Sequence, residues 1–133
     1  MSEITSWTKK DLWKRLSRLF VVEVSRHSAP SSSIDPYVGI NRWAVYAYIY
    51  PGHRLFDRFD GDSMFQEAAA SLPLHGGPSY LRVHRNNKGE IASYQVGADY
   101  HHMHDEHFTH YADEKDAYQV FSDADELFSH LEG

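Results

Sequence analysis

The chain has 133 residues and no cysteine, which excludes disulfides, thiolate nucleophiles and cysteine-ligated zinc or iron–sulfur sites. It has no run near the ~20 apolar residues that a membrane helix needs, and MSEITSWTKKDLWKRLSRLF at its start lacks the uninterrupted apolar centre of a signal peptide. A soluble cytoplasmic protein with no membrane partner is expected. Basic charge is also scarce, with 13 Lys and Arg against 19 Asp and Glu and a net charge of −6. Duplex DNA, whose binding rests on clustered cations, is therefore a poor partner. No Gly-rich phosphate loop, His-Glu-x-x-His or EF-hand pattern occurs, so nucleotide hydrolysis and the familiar metalloenzyme classes lack support.

What is present is enough apolar material to fold, 41% hydrophobic and 14% aromatic, in a length typical of one domain spanning residues 1–133. The charge is divided: residues 1–60 carry nine Lys or Arg against six acids, and residues 61–133 carry four against thirteen. The acidic half could meet a basic protein partner or, with carboxylates imitating phosphates, act as an inhibitor or nucleic-acid mimic.

The spacing of Leu12, Leu16 and Leu19, with Thr8 as a cap, predicts a first helix from about Lys9 to Leu19. LFVVEVSR is β-branched and reads as a strand, followed by the Ser/Pro-rich loop HSAPSSSIDP. NRWAVYAYIYP alternates, setting Trp43, Val45, Ala47 and Ile49 on one side of a strand and Ala44, Tyr46, Tyr48 and Tyr50 on the other. Such a tyrosine face suits packing under a helix, against a second copy of the chain, or, with Arg42, Arg54 and Arg58 at its edges, against single-stranded nucleic acid.

FDGDSMFQEAAASLPLHGG predicts a second helix, with Asp62 or Ser63 as cap and Pro73 and Gly76 past its end. The Gly-Asp-Ser at 61–63 also resembles the nucleophile block of the GDSL esterases and lipases, and Asp99 with His102 has the Asp-x-x-His spacing of their other catalytic block. The resemblance covers those residues only, and the family's intermediate Gly and Asn blocks are not recognisable. His-Gly-Gly at 75–77 reads as a helix stop leading into a turn. Tyr80 to Arg85 and Ile91 to Tyr100 predict a hairpin around Asn-Asn-Lys-Gly, with a short strand at Tyr118 to Phe121 and a helix from about Asp123 to Leu131 beyond it. The whole predicts an α+β fold in the order αββαββ(β)α, a mostly antiparallel sheet of four to five strands with two to three helices.

The densest chemistry is DYHHMHDEHFTHYADE at 99–114, with five histidines and five carboxylates in sixteen positions. If the strand turns at Asp105 and Glu106, His102, His104 and His107 converge as a first shell for zinc or another divalent transition metal. The competing reading gives the histidines structural or surface roles, with Asp105 and Glu106 in a protein-binding loop anchored by Tyr100, Met103, Phe108 and Tyr111. Composition and the absence of catalytic signatures favour a small intracellular, non-enzymatic accessory or regulatory protein that needs no cofactor. Metal binding or metal-assisted hydrolysis at the histidines is the alternative.

Overall fold

Alternation of apolar and polar side chains builds a five-stranded antiparallel sheet, and one face of it is covered by a C-terminal helix. The computed structural model describes residues 11–29, 37–102 and 104–133. Strands β1 (Leu12–Leu16), β2 (Phe20–Ser28), β3 (Asn41–Ile49), β4 (Tyr80–Arg85) and β5 (Ile91–Asp99) lie in the order β1-β2-β3-β5-β4. Two helices complete the α+β fold: α1 (Glu67–Ala70), a single turn, and α2 (Tyr118–Glu132). Short 3-10 segments occur at Phe56–Arg58 and Glu106–His110.

Register divides the sheet into two faces. Val24 pairs with Val45 and Val45 with Ala98, while Ala47 pairs with Val22 and Val96, so these side chains share the covered face. On that face α2 presents Val120, Ala124, Leu127, Phe128 and Leu131, all buried, at helical spacing. Phe128 packs on Phe20 with ring centres 4.8 Å apart, and Phe121 meets Trp13 edge-on at 5.3 Å. Tyr94 at the other end of the sheet stacks on Phe59 at 4.9 Å. Among the described residues, no helix is long and apolar enough to cross a membrane.

Three expectations are corrected. Residues 12–16 form β1, paired with β2 from Leu12↔Ser25 to Leu16↔Val21, and not the body of a helix; the predicted start at Lys9 and its cap Thr8 lie outside the described residues. Burial shows which period governs, because Trp13 is 2% exposed beside Leu12 at 44%, an alternation of two and not a helical stripe. The segment from Tyr118 to Phe121 is the first turn of α2, since Val120 belongs to the same buried stripe as Ala124 and Leu127. Asp123 and Asp125 therefore lie beyond the helix start, and tertiary partners hold them: Asp123 accepts from the Tyr100 hydroxyl at 2.5 Å and Asp125 pairs with Arg15 at 3.2 Å.

The third correction concerns residues 60–72, whose helix shrinks to α1. The Gln66 side chain spans the loop before it, accepting from Asp60 N–H and donating to the Asp60, Gly61 and Ser63 carbonyls. The hairpin around Asn86–Gly89 forms as expected, with a register irregularity at His84/Arg85. Residues 30–36 of the Ser/Pro-rich loop and Met103 of the histidine stretch also lie outside the described residues.

Candidate metal centre

β5 ends at Asp99, and the chain then folds back over the end of the sheet instead of continuing as a strand. Its path is fixed from both sides. Tyr100 and Phe108 are buried and pack edge-on at 4.9 Å, and the Tyr100 backbone N–H donates to the Trp43 carbonyl. Residues 109–112 are fastened to the start of β3: Gly39 N–H donates to Thr109 Oγ1 at 2.6 Å, Asn41 to the Thr109 carbonyl at 3.3 Å, and Trp43 Nε1 to the Tyr111 carbonyl at 2.9 Å. Arg26 donates to the Ala112 carbonyl.

This path turns Asp105 inward. Its residue is 6% exposed, so the carboxylate is a member of a buried network and not, as expected from the sequence, a displayed contact group. Oδ2 accepts the His102 backbone N–H at 2.9 Å and lies 3.3 Å from His102 Nδ1, while His75 Nε2 lies 3.0 Å from both carboxylate oxygens. Burial by itself would raise the carboxyl pKa; the His102 backbone N–H, then the His75 and His102 imidazoles, outweigh it and hold the group below its ordinary value.

His75 arrives from a separate part of the chain, the turn after α1. Its ring stacks on Tyr100 at 4.4 Å with an interplanar angle of 11° and meets Phe108 edge-on at 5.5 Å. Next to it, Gly76 has φ +71, and a Cβ there would stand 3.2 Å from the His102 ring, so a side chain at this position would press on the imidazole. His-Gly-Gly reads in the sequence only as a helix stop and turn, and the partner of His75 lies thirty positions away.

Among the described residues, the potential ligand atoms of His75, His102 and Asp105 all lie within 4.8 Å of one another. The separations of 3.0 and 3.3 Å approach the roughly 3.3 Å edge of a tetrahedron with metal–ligand bonds of about 2.0–2.1 Å. Asp99 supplies the outer support: its Oδ1 lies 3.5 Å from His102 Nε2, and it is itself held by Ser79 and the His101 N–H. A neutral imidazole has one N–H, which His102 can give to Asp99 through Nε2 or to Asp105 through Nδ1.

Of the expected ligand set, the structure brings only His102 into this group. His104 is exposed at a backbone φ of +73, and His107 is exposed with its ring 4.2 Å from Phe108, so the cross-strand convergence of His102, His104 and His107 does not occur. Its physical basis is missing because no second strand follows Asp105; Glu106, also exposed, opens a 3-10 segment. His110 Nε2 donates to the Tyr37 carbonyl at 2.7 Å.

The other expected sites separate similarly. Ser63 Oγ accepts the Phe65 N–H in an exposed loop, whereas Asp99 and His102 belong to the His75–Asp105 network, so the described contacts assemble no nucleophile and base. Tyr46, Tyr48 and Tyr50 are half-buried on or beside the uncovered sheet face. Arg54 lies elsewhere, donating to the His130 and Leu131 carbonyls at the end of α2, and Arg58 belongs to the 3-10 segment whose Phe56 packs on Tyr94 of the covered face. Of the three arginines expected beside the tyrosines, only Arg42 lies on their face. Comparison with protein-family models, curated proteins and solved structures gives no match.

Proposed function

We propose that the protein binds one divalent transition-metal ion of the zinc class through His75, His102 and Asp105, leaving a coordination position to water. Two imidazoles and one carboxylate form the mixed nitrogen and oxygen set that suits such an ion. The observation that carries the reading is the buried Asp105 carboxylate flanked by two imidazoles at coordination-like separations. Asp99 would orient His102, and the Tyr100 and Phe108 rings would hold His75. When bound, the ion would supply a Lewis acid and an acidified water.

The test is elemental analysis of protein expressed without a polyhistidine tag, followed by calorimetric titration with zinc, nickel and manganese. One equivalent of zinc is expected, with binding lost in Asp105→Asn and His75→Ala but kept in a His104→Ala/His107→Ala double variant. Failure of wild-type protein to bind any of the three ions above trace overturns the proposal, as does binding that only the double variant loses.

A further inference from the structure

We infer that the uncovered face of the sheet binds single-stranded nucleic acid, stacking unpaired bases on Tyr46, Tyr48, Tyr80 and His84 while Arg82 and Arg85 draw the phosphates along the edge of β4. The inference is independent of the metal site.

The platform follows from register. Successive cross-strand rows on this face read Lys14, Glu23, Tyr46, Gly97, Tyr80 and then Leu16, Val21, Tyr48, Gln95, Arg82. A Cβ on Gly97 would fall 2.3 Å from the Tyr46 ring, so the ring occupies the space over the glycine and meets Tyr80 edge-on at 5.5 Å. In the next row Tyr48 lies 6.0 Å from His84, whose Nε2 is bonded to Gln95 Oε1 at 2.8 Å. Two aromatic pairs thus stand side by side, each of the four residues half-buried. Tyr46 and Tyr48 are two residues apart on one strand, a spacing of about 6.7 Å that separates neighbouring stacked groups. Sequence-tolerant base stacking needs such rings, because every base offers a π face.

Charge on this face opposes that of the chain as a whole. Lys14, Arg42 and Arg82 face Glu23 and Asp99, a small positive excess in a protein of net charge −6. Glu23 is buried beside Lys14, so these two charges offset each other, while Asp99 keeps an exposed side chain beside Ser79 and His102, which leaves Arg42 and Arg82 as the cations of this face. Arg82 and Arg85, together with Leu81 and Val83, line a groove of about 370 Å³ along β4 that Gly61 and Asp62 also border; Leu81 and Val83 pair with Val96 and Tyr94 of the covered face, so the groove spans the edge of the sheet next to the platform. Among the described residues β4 is the last strand of the sheet, so this groove runs along an edge. A strand of nucleic acid lying there would place phosphates on the arginines and bases over the rings. A duplex keeps its bases inside, and the few cations could not compensate for that loss.

The test is fluorescence anisotropy with labelled twelve-nucleotide dT, dA, dC and U oligomers on the full chain at 50 mM and 200 mM salt. Binding that weakens steeply with salt is expected. Tyr48→Leu/Tyr80→Leu should lose about tenfold in affinity per ring, while Tyr48→Phe/Tyr80→Phe retains binding because the π faces remain. Arg82→Ala/Arg85→Ala should weaken binding and flatten the salt dependence, with thermal unfolding confirming that each variant folds. No binding by wild-type protein to any oligomer at 50 mM salt overturns the inference. Binding that the folded Leu and Ala variants keep also overturns it, and so does a concentration-dependent dimer that buries this face without binding oligomer.

Discussion

Glu23 is an acid in the interior of a tyrosine surface, 8% exposed and 3.7 Å from the Lys14 ammonium. Burial pushes its pKa above the ordinary 4.5, against the pull of Lys14. The folded protein therefore holds a proton that the unfolded chain releases earlier. This contribution to stability is present below pH 4.5 and disappears as pH rises through the folded value. Replacing Glu23 with Gln removes the buried charge, so the variant should unfold at a higher temperature than the parent at pH 7 and lose that advantage near pH 4. Thermal scans across that range check it, and a lower midpoint for the variant at pH 7 would show that the Lys14 pair outweighs the burial cost. The same surroundings, with Glu23 itself contributing, push the Tyr48 hydroxyl up to about 12, which keeps the ring neutral over ordinary conditions. At this scale His75 was illegible as a site member: a lone histidine before two glycines carries no local sign of Asp105, and the contacts that join the two segments, His75 with Asp105 and Tyr100 and Gly76 against the His102 ring, appear only in the folded chain.

At the scale of elements, the strands that the sequence makes plain are those in which alternation and β-branching agree. β2, β3 and the β4–β5 hairpin satisfy both conditions and form where expected. β1 does not. Leu12 and Leu16 stand four apart, as on a helix face, yet they also stand on one side of a strand, and a five-residue segment contains too few residues to separate the two periods. Pairing with β2 decides the matter, a contact that no local pattern records. The join between β3 and the histidine segment gives a prediction of its own. A Cβ on Gly39 would fall 2.3 Å from the Thr109 carbonyl oxygen and 2.9 Å from the His110 ring, so Gly39→Ala must push residues 109–110 away from β3. A loss of about 1–3 kcal/mol is expected from denaturant unfolding; an unchanged midpoint would mean that the segment gives way freely.

At the scale of the whole molecule, the helix layer is bound to the sheet by apolar contacts and by a polar clasp at the end of α2. His53 is buried with its ring 5.4 Å from Phe20; Nδ1 accepts the Leu55 N–H at 3.1 Å and Nε2 donates to the Leu131 carbonyl at 2.7 Å. Both ring nitrogens are thus used by a neutral imidazole. Burial lowers its pKa from 6.5, with the nearby Arg54 charge acting in the same direction and the Leu131 bond opposing them. The unfolded chain binds the proton first, so this contribution is present above pH 6.5 and is lost as pH falls through the folded value. His53→Gln should lower stability at pH 7.5 yet flatten its decline on acidification, seen in unfolding midpoints between pH 7.5 and 5. A decline as steep as the parent's would assign the acid sensitivity to other groups.

The histidine stretch has little regular structure, yet besides its internal bonds it is attached to β3 and seated by its own buried rings. Gly39, Asn41 and Trp43 hold it on one side, and Tyr100 and Phe108 seat it on the other. A segment tied in this way has no local opening of its own, because freeing it also frees the first residues of a central strand. Its amides should therefore exchange with solvent on the timescale of global unfolding, and the ordering entropy of the site is met when the chain folds and not when a ligand arrives.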